Sequence, residues 1–224
     1  MIKGKFPNDK FEQLETPFYY YDMELLRKTL IAITKETENK PFHVHYALKA
    51  NFNPIILKEI ASFGFGADCV SGNEILRAIE CGFDPSKIAF AGVGKTDKEI
   101  NIGLDNNIFC FNVESIPEIE VINKLAEKKG KIASVALRIN PNVDARTHKY
   151  ITTGLYENKF GINEQDLPKT IQTVKSSPNI KLIGIHFHIG SQITDLTSFE
   201  DLCVKVKSIR NWFKQEGIDL PVLN

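Results

Sequence analysis

The sequence has no long hydrophobic run, no excess of either charge and only 4 cysteines. Each shortage removes a class of protein. No apolar stretch approaches the ~18 residues of a membrane-spanning helix, so no membrane contact is expected. The 28 basic residues cancel the 28 acidic ones. Such a balance gives neither the basic footprint of a nucleic-acid binder nor a polybasic membrane face. Cys69, Cys81, Cys110 and Cys203 are widely spaced, with no metal-ligand spacing and no dense disulfide pattern. They read as reduced core residues. Residues 1–10 hold no apolar core of a signal peptide, and a cytoplasmic protein is expected. Repeats and low-complexity tracts are missing too. What remains is ordinary for a globular core: 224 residues, 42% apolar, with 15 Phe.

From residue 42 onward, short β-rich runs alternate with helical stretches. Strands are expected at 42–49, 66–70, 88–91, 108–113, 134–140 and 182–189. Helices are expected between and after them at 54–63, 72–81, 98–105, 116–129, 164–176 and 198–216. Pro54 with Asn53 as cap, and Ser115 before Pro117 and Glu118, mark helix starts. Gly64 and Gly82 mark helix ends. Alternation of this kind implies parallel pairing, and six units in a row favour an α/β fold of the (β/α)8 barrel type. No Gly-x-Gly-x-x-Gly follows the first strand, which weakens a dinucleotide-binding reading. Ahead of the barrel, an extended run at 16–21 leads into a helix at 23–37. Val222 and Leu223 read as the start of a seventh strand, so the chain is expected to be part of a longer protein.

The run His43-Val44-His45-Tyr46-Ala47-Leu48-Lys49, followed by Ala50-Asn51, places a lysine at the carboxyl end of the first strand. Barrels of this type gather their chemistry there. Burial and nearby positive groups can leave such an amine neutral and able to attack an aldehyde. Side chains alternate along a strand, so parity tells which residues share a face. Ala47 and Lys49 share one, with His43 and His45 deeper; Gly66, Asp68 and Val70 share another. Ala136, Arg138 and Asn140 form a third, and Gly184, His186, His188 and Gly190 a fourth. If these faces point inward, Lys49, Asp68, Arg138 and His188 converge at the mouth. That set suits a flat, anionic, aromatic cofactor. The opposite faces are apolar and would pack on helices. Blander readings stay open. Lys49 can simply leave a strand for water, Asp68 can tether a strand end, and Arg138 can form a structural ion pair. His188 can be a satisfied core histidine, and Ser191 a plain turn residue.

Four segments carry a family resemblance. They are Tyr46-Ala47-Leu48-Lys49-Ala50-Asn51, Gly66-Ala67-Asp68-Cys69-Val70-Ser71, the run at 137–148 with its Asn-Pro-x-Val-Asp-Ala-x-Thr-His, and His186-Phe187-His188-Ile189-Gly190-Ser191-Gln192. Together they resemble the barrel-type pyridoxal-phosphate decarboxylases of the alanine racemase-like fold, and within them the diaminopimelate decarboxylases. The likeness extends over nearly the whole chain from about residue 16. It implies pyridoxal 5'-phosphate held as a Schiff base on Lys49, which with His188 would be catalytic. Asp68, Arg138, His188, Gly190 and Ser191 would join Lys49 in binding the cofactor, with His188 stacked on the ring and Ser191 near the phosphate. His186 would be structural, and no metal is implied. The implied reaction is loss of CO2 from meso-2,6-diaminopimelate to give L-lysine. The substrate is a small amino acid, and the full-length protein would be a homodimer.

The resemblance also implies parts beyond residue 224: a phosphate loop, a carboxylate for the pyridine nitrogen and a second, β-rich domain. Residues 1–21 would join that domain, and 22–224 would be the cofactor-binding barrel. Alone, this chain is expected to bind the cofactor weakly and to lack decarboxylase activity. Two rivals are a single-barrel, non-catalytic pyridoxal-phosphate carrier and a related ornithine, arginine or carboxynorspermidine decarboxylase. A third is a metallohydrolase using His186 and His188.

Overall fold

The computed structural model describes residues 4, 6–143, 160–191 and 193–224. The segment at 144–148 that carried part of the resemblance, Thr153, Gly154, Lys159 and Gln192 lie outside the described residues.

The elements run α1 (Asn8–Phe11), α2 (Met23–Thr37), β1 (His45–Ala47), α3 (Pro54–Ser62), β2 (Gly66–Cys69), α4 (Gly72–Glu80), β3 (Ile88–Phe90), α5 (Asp97–Asp105), β4 (Cys110–Val113), α6 (Ile116–Lys128), β5 (Ala133–Arg138), α7 (Leu167–Lys175), β6 (Ile180–His186), α8 (Thr197–Gln215) and β7 (Val222–Leu223). The strands form one 7-stranded sheet in the order of the chain, and every pairing is parallel. This is the incomplete barrel that the alternation predicts. β7 is the short seventh strand.

Register fixes the two faces. Ala47 pairs with Asp68, Asp68 with Ala89, and Ala89 with Cys110. Asn112 pairs with Ala136, Ala136 with Gly184, and Arg138 with His186. These residues share the concave face, where small side chains leave room. The alternate residues Ala67, Ile88, Phe90, Phe111, Val113, Val135, Leu137 and Ile185 are buried in the main core with helix residues such as Leu57, Ile75, Ile119 and Phe213. Each such Leu, Ile or Phe contributes about 1.5–3 kcal/mol by leaving water.

Three strand-to-helix loops at the mouth share one device. Ser71, Thr96 and Ser115 cap α4, α5 and α6 by accepting N–H groups of Glu74, Glu99 and Glu118. Each glutamate returns a bond to its loop. Glu74 accepts from Val70 N at 2.7 Å, Glu99 from Thr96 N and Gly72 N at 3.0 Å, and Glu118 from Glu114 N at 2.8 Å. Only Ser115 stood out as a cap in the sequence.

Strand ends differ from the expectation. β1 covers three residues rather than 42–49, because its partner begins at Gly66, opposite His45. Leu48–Ala50 form a 3-10 turn, so Lys49 stands just past the strand. β5 ends at Arg138 and β6 at His186, which leaves Asn140, His188 and Gly190 in loops. The run at 16–21 pairs with nothing in the sheet and follows the unforeseen helix α1. Cys69, Cys81 and Cys110 are buried, but Cys203 is exposed on α8, which corrects its reading as a core residue.

Candidate active site at the barrel mouth

Lys49 is held by its neighbours rather than by its own side chain. Leu48 is fully buried beneath it. Tyr46 donates its hydroxyl to Asn51 O at 3.2 Å. Asn51 accepts from Asn53 N, and Asn53 caps α3 through Ile55 N, both at 2.9 Å. Lys49 itself is exposed among the described residues, so the burial expected to tune its amine is not found there.

The charge of Lys49 acts on Asp68 and, with that of Arg138, on His188. Burial pushes the Asp68 carboxyl above its ordinary range; Lys49 opposes this and Glu74 adds to it. Burial, then Arg138 and Lys49, push the half-buried His188 imidazole down, while Glu114 pushes it up. Of the four residues that parity predicts to converge, Lys49 thus acts electrostatically on Asp68 and on His188, and Arg138 on His188. Arg138 Nη1 donates to both Glu114 carboxylate oxygens at 2.9 Å, and the two side chains are 11% and 4% exposed. Its guanidinium carbon lies 5.5 Å from the centroid of the Phe160 ring. The ion-pair reading of Arg138 is thus realised.

His186 is deeper. Its Nδ1 is 2.8 Å from Asn224 Oδ1, and burial pushes its pKa down to about 4. Gly190 has φ of 147°, a conformation that favours glycine, and Ser191 is exposed on the following bend. Below the mouth, the Cys110 thiol donates to Asn112 Oδ1 at 3.7 Å, and its pKa is pushed up to about 12 by burial. Asn112 is fully buried, and its Nδ2 has no partner among the described residues. Among the described residues, no group of three or more His, Cys, Asp or Glu is placed to hold a metal ion.

Sequence reasoning missed Glu114. The rule that marked Lys49 would have found it, because Glu114 directly follows the last residue of β4. The site thus combines a primary amine, a guanidinium, an imidazole and a half-buried carboxyl over a floor of Ala47, Ala89, Ala136 and Gly184. The chemistry of this donor set fits a planar anionic aldehyde: small residues on the concave face, cationic side chains and a primary amine.

Fold and donor set define a parallel α/β barrel domain built to hold a carbonyl cofactor. Residues 24–224 match the family model described as "Pyridoxal-dependent decarboxylase, pyridoxal binding domain", and the chain belongs to that family. It is 58% identical over 224 residues to a diaminopimelate decarboxylase of Bacteroides thetaiotaomicron, covering 100% of this chain and 58% of that protein. A crystal structure of diaminopimelate decarboxylase from Helicobacter pylori, complexed with L-lysine, superposes with a TM-score of 0.89 at 41% identity. That match covers 96% of this chain and 55% of the other. The enzyme from M. jannaschii, in co-complex with L-lysine, gives 0.87 at 38% identity over 96% and 52%. The chain spans little more than half the length of these relatives.

Proposed function

We propose that the protein to which this domain belongs decarboxylates meso-2,6-diaminopimelate to L-lysine, with pyridoxal 5'-phosphate bound at Lys49. One observation carries the reading: Lys49 stands just past the carboxyl end of β1, and its charge acts on both Asp68 and His188. The likeness to diaminopimelate decarboxylases over the whole chain supports the substrate, as does L-lysine in two related structures.

Bound pyridoxal phosphate supplies an electron sink for the pair left at Cα when CO2 departs. The chain's own residues do the rest. Lys49 would hold the cofactor's aldehyde through Nζ and would move a proton at the substrate's Cα. His188 would lie against the ring, and its lowered pKa favours the neutral imidazole, which would stack without adding charge. Asp68 holds a negative charge beside the Lys49 ammonium. Arg138, steadied by Glu114, adds positive field at the rim. Gly190 and Ser191 present backbone and hydroxyl donors for phosphate oxygens. We place the barrel at residues 22–224 and assign 1–21 to contacts with a further domain. The full-length protein is read as a homodimer. The cytoplasm suits its buried, unpaired Cys69, Cys81 and Cys110.

The test is site-specific capture. The protein is treated with equimolar pyridoxal phosphate and borohydride, digested and analysed by mass spectrometry. The expected adduct sits on Lys49 and is lost in Lys49→Ala. Adducts spread evenly over surface lysines would overturn the reading.

A further inference from the structure

Linked to the Arg138–Glu114 pair is a second one, whose cation is still more buried. Lys95 Nζ is 2.6 Å from Glu118 Oε1, and the side chains are 1% and 12% exposed. The same ammonium donates to Gly92 O and Asn112 O, both at 2.7 Å, and lies 5.3 Å from the centroid of the Phe90 ring. Three acceptors match the three donors of an ammonium. Glu118 Oε2 accepts from the Glu114 backbone N–H at 2.8 Å, and the Glu114 carboxylate in turn holds Arg138. A continuous path of charge-assisted contacts therefore links the loop after β3, the end of β4, the start of α6 and the end of β5.

Stability alone does not account for this path. A buried ion pair is often no better than an apolar pair of the same volume. Capping does not account for it either. Glu74 caps its loop in the way Glu118 does, and among the described residues it has no ion pair. What Lys95 adds is position: it fixes Glu118, Glu118 fixes the main chain of Glu114, and the Glu114 carboxylate fixes the guanidinium.

We propose that Lys95 is a positioning residue for Arg138, acting through Glu118 and Glu114 to hold the guanidinium at the barrel mouth beside His188. One arm of the test rests on the mouth being a pyridoxal-phosphate site; the other does not.

Two variants are compared with the parent protein: Lys95→Met, and Lys95→Met combined with Glu118→Gln. The second leaves no lone charge buried, so it carries the test if the first does not fold. Urea unfolding establishes that each variant is folded. In the cofactor-free protein, the His188 ring is titrated by NMR. Arg138 and Lys49 push its pKa down and Glu114 pushes it up, so withdrawal of Arg138 shifts the midpoint upward. In parallel, the affinity for pyridoxal phosphate is measured by absorbance, and a roughly three- to thirtyfold loss is expected. A folded variant with the parent's His188 midpoint and affinity overturns the proposal. If the parent itself binds no pyridoxal phosphate, the functional reading fails, and the His188 titration still decides the role of Lys95.

Discussion

Glu114 shows how much of this site rests on single charged contacts. Its carboxylate is almost sealed from water and carries two bonds from Arg138. Breaking one side of such a pair strands the other charge in a low dielectric, at about 3–5 kcal/mol. Glu114→Gln is expected to lower the unfolding free energy by that order, measured in urea. Arg138→Met added to it should restore most of the loss, because no lone charge then remains. Arg138→Met is measured alone as well, and a loss in the double variant equal to the sum of the two single losses would mean that the residues are not coupled. His186 gives a pH-dependent counterpart. Its folded pKa of about 4 lies below the ordinary 6.5, so the unfolded chain binds the proton more readily. Its contribution is complete above pH 6.5 and is lost as pH falls toward 4, amounting to about 3 kcal/mol. His186→Gln should therefore flatten the fall in stability between pH 6.5 and 4.5 relative to the parent. Parallel curves would rule this out. Legibility in the sequence follows the range of the contact. Lys49, Asp68 and His188 stood out because a strand end and its parity are local features. Glu114 was open to the same local rule, but its pairing with Arg138 was not, because the two lie 24 residues apart.

Helices were easier to read than strands, for a physical reason. A helix writes its buried face into its own sequence, as Ile75 and Ala78 do on α4, and its caps are local side chains. The expected helix at 23–37 coincides with α2. A strand end is set by its neighbour's length, which is why 42–49 shrank to His45–Ala47. The same logic gives two predictions about elements. Ser71→Ala, Thr96→Ala and Ser115→Ala each remove one cap and should cost about 1 kcal/mol apiece. Amide exchange should also speed up at Val70, Gly72 and Glu114, since the returning glutamates lose their anchor. Unchanged exchange at those amides would uncouple the caps from the loops. Gly103 lies in α5, where alanine would gain about 1 kcal/mol in helix propensity. A Cβ there would sit 2.7 Å from Cζ of Phe111, whose buried ring cannot retreat. Overpacking at about 1–3 kcal/mol outweighs the gain. Gly103→Ala is expected to lower the melting temperature; a rise would mean that α5 slides away from β4 at little cost.

For the whole molecule, the question is where the barrel's cooperative unit begins. The main core takes its first buried residue from α2, Leu30, and its first partly buried one from Met23. Before that point no described residue is buried. The aromatic contacts of the N-terminal segment are internal: Phe6 with Tyr20, and Phe11 with Phe18 and Tyr20, at centroid distances of 6.1, 5.4 and 4.9 Å. Tyr19 is 91% exposed. Two ties lie at the boundary with the barrel. Asp22 caps α2 from the boundary itself, and Tyr21 acts weakly on Tyr46. Unfolding free energy follows buried apolar area, and this segment brings little of it to the barrel. Removing residues 1–21 while keeping Asp22 should therefore change the unfolding free energy by less than about 1 kcal/mol, the size of a surface change. The dependence on urea should hardly alter, because its slope scales with the surface exposed on unfolding. Residues 1–21 would then be a strap whose exposed aromatic rings belong against another surface, as the proposed second domain requires. A loss of several kcal/mol would instead make the strap part of the barrel, and the boundary at residue 22 would have to move.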